Sequence, residues 1–568
     1  NTGNVLFSGN NTFDGGMTLD GTSTGRASFS AASAFPTSGT ITINNGGGIR
    51  FTAGSSPSFG GVGQSIICTP NQTTTGSIVQ QDAGNSTATL VSNITLNADT
   101  RIDVNSSSVS SMNISGNITG TGKLIKGGAG TLTLNGTNTF SGGIQVLVGF
   151  LRVGSTGSIP ASTNVEVATG CSFRISSNQT INDLNISAGG TLTVDAGATL
   201  TITGTYTPGT GTINNSGTIV LAGTSPQSFP GSSISITTMA SLTINNASGV
   251  NMDRNLTINS AGTLTLTSGV LSIGNYTLTI NGAVAGTGTL KGSSTSNLSI
   301  GGTGALGTLN FDQTTDGTTN ILNNFTLNRT TSGTATLGNK LVVSGVFTPT
   351  DGTLTTGGFL HLRSNSSSTA RVASLGATAA ITGNVTVERY LQNKRAWRLL
   401  TSPQSNASDI MLSAGWQLQT HIVGPSGTGL DATKPSYSMM TYNTGTQAWV
   451  GVQNPTSEVQ IGTSTNTGSK AFAAFITGNR SVDINDLMAS SAVTLLPNAS
   501  LLTGTQTYSL GSLNTNAFAL VGNPYASPVD LDLVYANTGT ANINRTFYTW
   551  DPSLSGTGGY VTISWNGS

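Results

Sequence analysis

Charged residues are scarce in this sequence, and the shortage excludes a class of function. They make up 7% of the 568 positions, and 21 basic residues balance 21 acidic ones. Soluble proteins usually carry about 25% charged residues. We expect no nucleic acid partner, because phosphate binding needs a surplus of Lys and Arg. The abundance of Thr, Val and Ile also argues against disorder, since disordered chains are poor in β-branched residues.

Long hydrophobic runs are also missing. No stretch reaches the roughly 18 apolar residues that a membrane-spanning helix needs, so we expect no membrane-spanning segment. The chain starts at Asn1 without Met or a signal peptide and ends at Ser568 without an obvious terminal module. Because signal peptides are removed during export, we expect a processed protein with a truncated C-terminal region.

Large aromatic residues are nearly absent from the first two-thirds of the chain. All five Trp residues and eight of the ten Tyr residues follow residue 386. A region without Trp is not expected to share its packing with a region that holds all of them. We therefore predict a domain boundary near 380–390, with one domain over 1–385 and another over 386–568.

The first region instead contains short strands of period two. In residues 191–204, TLTVDAGATLTITG, Leu192 and Val194 alternate with Thr, and Leu200 and Ile202 repeat the pattern after a turn. Such alternation predicts short strands with one buried face. The phrase Gly-Thr-Leu-Thr recurs along the region, starting at Gly130, Gly190, Gly262 and Gly352.

We expect these strands to coil, because a flat sheet would leave unpaired edges and an exposed apolar face. If each turn stacks on the previous one, backbone groups pair between turns while Leu, Ile and Val stack inward. Outward Thr suits strands without charge, and Gly and Asn suit corners. The predicted fold class is all-β, with a right-handed parallel β-helix over 1–385 followed by a β-sandwich-like domain over 386–568. Coils of roughly 20–25 residues give about 16–19 coils.

Two passages of the first region match each other. Residues 9–16, GNNTFDGG, are similar to residues 136–143, GTNTFSGG, at an offset of 127. Further on, residues 49–51 are similar to residues 173–175 at an offset of 124. A drift of this size is typical of a solenoid with turns of variable length.

The two cysteines are not expected to form a disulfide. Cys68 and Cys171 are 103 residues apart, which corresponds to roughly four or five coils and about 20 Å along the coil axis. A disulfide requires Cα atoms within roughly 7 Å of each other. We therefore expect two separate, largely buried thiols, with a disulfide as the alternative.

The segment from Gly116 to Gly154, GNITGTGKLIKGGAGTLTLNGTNTFSGGIQVLVGFLRVG, resembles the passenger-associated repeat of bacterial autotransporters and other large secreted β-helix adhesins. The preceding ITLNADTRIDVN, from Ile94 to Asn105, is similar to the coil that usually precedes the repeat in that family. A weaker echo covers residues 5–51. The resemblance implies a secreted β-helix and says little about the ligand.

The second region resembles a module of large secreted proteins of Bacteroidetes-type bacteria, which are often exported by the type IX route. The resemblance implies a cell-surface or extracellular location. Short motifs carry it: VERY at 387–390, WRLL at 397–400, VGNPY at 521–525 and YTWDP at 548–552.

Parallel β-helices also house polysaccharide lyases and hydrolases, whose sites need clustered carboxylates or a carboxylate with a basic group. The first 385 residues contain 12 acidic residues, thinly spread. Asp99, Arg101 and Asp103 form the best cluster, on one face at period two. The interpretations are a sugar or cation site and an exposed ion ladder; we favour the ladder. We expect no catalytic residues.

Paired aspartates are the candidate ligands for Ca²⁺, which prefers oxygen atoms. Plain surface turns are the favoured alternative, and we expect no other cofactor. In the first region the pair is Asp312 and Asp316; in the second region the pairs are Asp483 with Asp486, and Asp530 with Asp532. The two histidines, His361 and His421, have no neighbouring Cys in the sequence and predict neither a zinc site nor a catalytic triad.

Aromatic and basic residues of the second region offer binding surfaces. A sugar-stacking platform is one interpretation of its large aromatics, and core packing is the favoured one. These aromatics are Trp416, Trp449, Tyr525 and Trp550. A single basic run lies on a strand that enters the second region, and we expect it to face solvent. The run contains Arg389, Lys394, Arg395 and Arg398.

Together these features predict a non-catalytic cell-surface or extracellular protein, structural or adhesive, with a β-helical stalk and a terminal β-domain. Expected partners are glycans or other surface proteins, and self-association into a filament or surface layer is a further option. The alternative function is a carbohydrate-active enzyme, a polysaccharide lyase or hydrolase, on the β-helix. A third interpretation, ice binding, is disfavoured by irregular Thr spacing.

Overall fold

The computed structural model describes residues 4–11, 15–21, 25–52, 57–71, 73–81, 87–105, 110–405, 415–426, 430–431, 434–452, 471–506, 513–537, 543–544 and 546–564. The chain divides into two compact units, Asn1–Thr289 and Leu290–Ser568. It is nearly all-β, with 3% helix, and its parallel sheets form a β-solenoid of about 16 turns. The predicted all-β class and the parallel coil are therefore confirmed.

Three sheets make up most of the first unit. Sheet 1 contains Val5–Phe7, Arg26–Phe29, Gly48–Phe51, Ile78–Gln80, Thr100–Val104, Leu124–Gly127, Ile144–Val146, Val165–Val167, Leu184–Ile186 and Tyr206–Pro208. Sheet 2 contains Met17–Gly21, Thr40–Asn45, Ser65–Pro70, Asn93–Leu96 and Ile118–Gly120.

Sheet 3 of the first unit is the longest. It contains Ser58–Phe59, Thr87–Leu90, Ser111–Ile114, Thr131–Leu134, Phe150–Val153, Ser172–Ile175, Gln179–Ile181, Thr191–Val194, Thr199–Ile202, Thr212–Leu221, Gln227–Phe229, Ser235–Met252, Thr263–Ser272 and Ala283–Gly286. Leu256–Ile258 pairs with Thr277–Ile280, Ala32–Ala34 forms a 3-10 turn, and Thr289–Lys291 is a further strand.

Successive coils of the first unit pair in parallel, so that like residues stack in columns. Ile78 pairs with Ile49 on one side and with Ile102 on the other, and all three are fully buried. The alternation predicted for residues 191–204 is confirmed, because Leu192 is 1% exposed and the Thr positions around it are half-buried. Stacked aliphatic columns thus form the core, each buried side chain contributing roughly 1.5–3 kcal/mol.

The two matching passages do not occupy equivalent places in the coil. Residues 49–51 belong to Gly48–Phe51 in sheet 1, whereas residues 173–175 belong to Ser172–Ile175 in sheet 3. Each strand turns apolar residues inward and an Arg outward. Period-two alternation is the same for every face of a solenoid, so the match reflects a shared strand pattern and does not identify the face.

Where the chain leaves a strand at a corner, a buried side-chain amide adds to the hydrogen bonds between backbones. Asn138 is 3% exposed. Its side chain accepts the N–H of Ile118 at 2.9 Å and donates to the carbonyl oxygens of Gly136 and Ser158 at 3.0 and 2.8 Å. One side chain therefore joins three successive coils at a corner.

The parallel strands of the second unit form two sheets. Sheet 4 contains Asn297–Ile300, Thr303–Leu309, Asn324–Asn328, Thr330–Leu337, Val346–Thr355, Arg371–Val372 and Thr378–Thr382. Sheet 5 contains Ile321–Leu322, Leu341–Val343, Leu360–Leu362 and Val385–Val387, followed by Asn498–Leu501 and Gln404–Ser405. Pairing changes from parallel to antiparallel at Val385–Val387. The domain boundary at 385/386 stays a prediction.

The later strands of the second unit are antiparallel. Sheet 6 contains Ala396–Leu400, Phe472–Ile476, Met439–Asn443 and Ala448–Gly451. Arg389–Leu391 pairs with Val493–Leu495, and Thr546–Asp551 pairs with Gly559–Ser564. Helices cover Gln417–Gln419 and Leu531–Asn537. A core cluster lies here, whose larger members include Trp416, Met439, Phe472 and Ile476.

Replacing Asn138 by Ala is expected to destabilise the first unit, because the variant leaves the buried N–H of Ile118 without its partner, whereas the carbonyl oxygens of Gly136 and Ser158 keep a backbone N–H donor each. We expect the free energy of unfolding to fall by about 1–3 kcal/mol. Urea unfolding followed by circular dichroism measures the loss. Asn117→Ala is the matched control. Asn117 is exposed and accepts the N–H of Thr137 at 2.9 Å, so water can replace it. Equal losses in the two variants would contradict this role for Asn138.

Candidate functional sites

The predicted ladder of Asp99, Arg101 and Asp103 is not an exposed row. Nε of Arg101 donates to Oδ1 of Asp103 at 2.6 Å, and the N–H of Gly76 donates to Oδ2 at 3.1 Å. Asp103 is only 5% exposed. Asp99 is exposed and accepts the N–H of Lys123 at 2.9 Å. The prediction of an exposed ladder is wrong for Asp103, whose carboxylate is buried and saturated by donors on its own and a neighbouring coil.

A buried lysine beside this ion pair was missed in the sequence. Lys126 is fully buried at an inward position of sheet 1, where it pairs with Ile102 and Val146 in the neighbouring coils. Burial lowers the pKa of Lys126 to about 8, and the charge of Asp103 opposes that shift. The sequence did contain a signal, because Lys126 follows Leu124 at period two and therefore occupies an interior position.

Three carbonyl oxygens surround the amine of Lys126. Nζ donates to Gly127 and Gly128 at 2.7 Å each, and to Val148 of the next coil at 3.0 Å. Gly127 also lets the Arg101–Asp103 ion pair approach the backbone, since a Cβ there would lie 2.0 Å from Oδ1 of Asp103. The amine thus clamps a corner between two coils, and all of its hydrogen bonds are to the chain.

The cysteines agree with their prediction, because Cys68 and Cys171 are both free and buried. Burial raises the pKa of the Cys68 thiol to about 12 and also raises that of Cys171. A thiol with a raised pKa holds little thiolate at neutral pH and is a poor nucleophile. Both side chains therefore act as small apolar groups in the interior.

The predicted calcium ligands of the second region bind donors of their own turns. Oδ1 of Asp483 accepts the N–H of Asn485 at 2.9 Å, and Oδ1 of Asp486 accepts that of Met488 at 2.8 Å. Oδ1 of Asp530 accepts the N–H of Asp532 at 2.9 Å, at the start of the helix Leu531–Asn537. Such bonds are typical of turns and helix starts.

The pair Asp312 and Asp316 lies in a similar turn. Oδ1 of Asp312 accepts the N–H of Thr314 at 2.9 Å, and Asp316 pairs with Nζ of Lys340 at 2.7 Å. The hydrogen bond and charge of Lys340 hold the pKa of Asp316 below its usual value. Over the described ranges, no three His, Cys, Asp or Glu side chains come together as a metal site would require.

The two histidines make structural contacts. Burial, with Lys340 nearby, lowers the pKa of His361 to about 4, so its ring is neutral at neutral pH. Its Nε2 lies 3.4 Å from the hydroxyl of Thr386 in the neighbouring coil. Nε2 of His421 lies 3.1 Å from the carbonyl oxygen of Arg480.

The four aromatics proposed as a platform have different surroundings. Trp416 is 3% exposed and packs edge-on against Phe472 in the core. The other three are half-buried. Trp449 packs edge-on against Tyr442, Trp550 packs edge-on against Tyr560, and the hydroxyl of Tyr525 donates to Gly504 at 2.9 Å. Core packing is therefore correct for Trp416.

The basic run divides between core and surface. Arg398 is 5% exposed and donates to the carbonyl oxygens of Gln392 and Lys394 at 2.9 and 3.2 Å. Burial lowers its pKa. The expected solvent-facing run is therefore wrong for Arg398, because alternate residues of Ala396–Leu400 point into the core. Arg389 is exposed and Arg395 is half-buried.

A groove of about 500 Å³ lies on sheet 6, on the face opposite the core. Alternation places Trp397 on this face, directly opposite Phe475 in the neighbouring strand, with ring centroids 5.3 Å apart. We call it the aromatic groove. Its main lining side chains are Arg395, Trp397, His421, Lys434, Tyr437 and Phe475.

A second, open groove of about 420 Å³ lies at a corner of the parallel part of the second unit. Two arginines line it, Arg363 and Arg371. Arg363 donates to the carbonyl oxygen of Gly317 at 2.8 Å, so its guanidinium is held against the corner, whereas Arg371 is exposed. The other lining residues are mostly Ser, Asn and Thr.

Residues 124–153 match the family model described as the passenger-associated-transport-repeat. Both Lys126 and Asn138 lie in this segment, which contains two strands of sheet 1 and two of sheet 3. The match and the solenoid together fit a β-helical passenger of the autotransporter type. No curated protein and no solved structure is significantly similar to the chain. Among the helices of the described residues, none is long and apolar enough to cross a membrane.

Replacing Lys126 by Met is expected to change how stability depends on pH. Since burial lowers the pKa of Lys126 from 10.5 to about 8, the unfolded chain keeps a proton between these pH values that the folded chain has released. The stability of the wild type relative to Lys126→Met should therefore rise between pH 8 and 10.5, by on the order of 3 kcal/mol. Below pH 8 the difference should level off. Urea unfolding at several pH values measures it.

The comparison of two chains cancels titrating groups that do not interact with Lys126. Cys171 is not among them, because the charge of Lys126 opposes the rise that burial causes in its pKa. Burial raises the pKa values of Cys68 and Tyr206. Both residues are present in the two chains, so their ionisation at high pH lowers the stability of both chains equally. A stability difference that stays constant from pH 7 to 10.5 would contradict a buried ammonium group at position 126.

Proposed function

We propose that this chain is a non-catalytic structural or adhesive protein of the cell surface or the extracellular space. The match of residues 124–153 to a passenger-associated repeat, within a parallel solenoid, carries the proposal. In such a protein the solenoid is a stiff scaffold, and binding comes from many weak contacts along it. Export by the type IX route rests on the resemblance of the second region and belongs to this proposal.

A scaffold role suits the chemistry of the coil surface. Thr, Ser and Asn side chains supply hydrogen-bond donors and acceptors, and charged residues are 7% of the chain. Such a surface suits glycans, which carry many hydroxyl groups, and neighbouring proteins that present polar groups. We include both as partners, together with self-association.

The acidic residues considered for an enzyme support the non-catalytic proposal. Asp103 is buried and bonded to Arg101 and Gly76, whereas Asp99 is exposed and bonded to Lys123. A polysaccharide lyase or hydrolase needs two groups that face one substrate bond. These two carboxylates have opposite exposures and separate partners.

Incubation of the full chain with a panel of neutral and acidic polysaccharides should release no reducing ends and no unsaturated uronates, because Asp99 and Asp103, the best acidic pair of the first region, do not face a common substrate bond. Heat-denatured protein provides the baseline. Product formation by the wild type that disappears in Asp99→Asn or Asp103→Asn would contradict the proposal and favour the enzyme.

Location is tested on intact producing cells. Antibodies against the chain should label the cells without permeabilisation, and external proteinase should remove the label. Labelling that requires permeabilised cells, together with absence of the chain from the medium, would contradict an extracellular or surface location.

A further inference from the structure

The aromatic groove combines positive charge with an open, concave surface. Arg395 and Lys434 both line it, and among its described lining residues none is acidic. Arg395 donates to the carbonyl oxygen of Asp486 at 3.1 Å, and Lys434 donates to the side-chain oxygen of Asn485. Within the described part of the chain, neither cation forms an ion pair. Their charges are therefore available to an anionic ligand.

One acidic residue next to the groove is already neutralised. Asp431 pairs with Nη1 of Arg480 at 2.8 Å and lies 4.0 Å from Nδ1 of His421. Its side chain is only 13% exposed. The carboxylate of Asp431 therefore does not oppose an anion in the groove. Asp483 and Asp486 flank lining residues of the groove and are exposed, and their Oδ1 atoms accept backbone N–H groups of their own turn.

Three aromatic rings give the groove apolar surfaces of fixed position. The guanidinium of Arg395 lies 5.4 Å from the centroid of the Phe475 ring, and Trp397 packs on the same ring. Tyr437 lies over Gly451, where a Cβ would stand 2.2 Å from its ring. Aromatic faces of this kind pack against the C–H groups of a sugar ring.

One buried hydroxyl in the wall has no partner. Thr477 is 7% exposed and lines the groove, and its Oγ1 makes no hydrogen bond in the described structure. A buried hydroxyl without a partner costs roughly 1–3 kcal/mol. A ligand hydroxyl would satisfy it. Thr477 is an observation independent of the cations and the rings.

We propose that the aromatic groove binds an anionic saccharide, with its carboxylate or sulfate at Arg395 and Lys434 and its ring against Trp397 and Tyr437. The volume of about 500 Å³ lies within the range of ligand sites, roughly 300–1,000 Å³. Sugar hydroxyls can bond to Oγ1 of Thr477 and to the exposed Ser436, which an apolar ligand cannot do. The proposal deepens the adhesive role and rests on it.

Binding is tested by isothermal titration calorimetry on the full chain. A galacturonic acid tetramer supplies carboxylates, a sulfated galactose tetramer supplies sulfates, and an unmodified galactose tetramer is neutral. We expect at least one anionic probe to bind about tenfold or more tightly than the neutral probe. Its affinity should fall as salt is raised.

The double variant Arg395→Gln, Lys434→Gln should weaken binding of that probe by about tenfold or more, because it removes two charge-assisted hydrogen bonds. Arg389→Gln is the matched control: it is exposed, belongs to the same basic run and lies outside the groove. Arg371→Gln tests the second groove. Both single variants should change the affinity less than about twofold.

An aromatic series checks the sugar ring separately from the charge. Trp397→Ala should weaken binding of the anionic probe, whereas Trp449→Ala, on sheet 6 but outside the groove, should not. Because Trp397 packs against Phe475, the melting temperature of each variant is measured. If Trp397→Ala proves to be unfolded, the outcome rests on the surface charge variants alone.

Several results would overturn the proposal. These are no binding of either anionic probe, equal binding of the neutral probe, loss of binding in Arg371→Gln, or tighter binding of single-stranded DNA or a phosphopeptide than of the saccharides. The readouts separate this site from the wider role. If a probe binds and is cleaved, the groove is a binding site but the non-catalytic function is contradicted. If no probe binds and none is cleaved, only the binding role of the groove is contradicted.

Discussion

Hydrogen bonding between successive coils is the constraint on which this structure depends. Every N–H and C=O that enters the interior needs a partner on the coil above or below, and straight strands supply one without help from side chains. At corners, side chains add to these bonds: Asn138 and Lys126 each donate to a backbone carbonyl oxygen of a neighbouring coil. Both are polar, yet both are almost inaccessible to water, which is what a saturated corner requires.

The shortage of charge inside the coil follows from the same constraint. A solenoid core is narrow, and an inward ion must find all its partners within a coil or two. Lys126 and Asp103 meet that demand through several close donors or acceptors each. Most inward positions cannot, so aliphatic residues fill the columns. The passenger-type repeat is thus a segment that carries corner chemistry as well as strands.

The sequence could predict the parts of the fold that depend on local pattern. The inward direction of Leu192 and Val194 follows from alternation, and the separation of Cys68 and Cys171 follows from coil length. The burial of Asp103 could not be predicted, because it depends on Gly76 of the preceding coil. The stretches 49–51 and 173–175 match in sequence but lie in different sheets for a similar reason, since alternation is the same on every face of the coil.

The aromatic groove lay beyond sequence reasoning for a different reason. Trp397 and Phe475 are far apart in the chain, and only antiparallel pairing in sheet 6 brings their rings together. The basic run did contain Arg395, but its strand alternates between core and surface, so neighbours such as Arg398 take the opposite role. Residues of a strand alternate between its two faces, so a run of like charges is divided between core and solvent. The sequence alone does not say which face is exposed.

The end of the parallel pairing in sheet 5 limits how copies of this chain can assemble. Val385–Val387 is bonded to Leu360–Leu362 on one side and to the antiparallel Asn498–Leu501 on the other. A strand with both flanks occupied has no free row of backbone groups to template an incoming chain. An incoming strand therefore cannot pair with Val385–Val387 itself, because the antiparallel Asn498–Leu501 already occupies that flank.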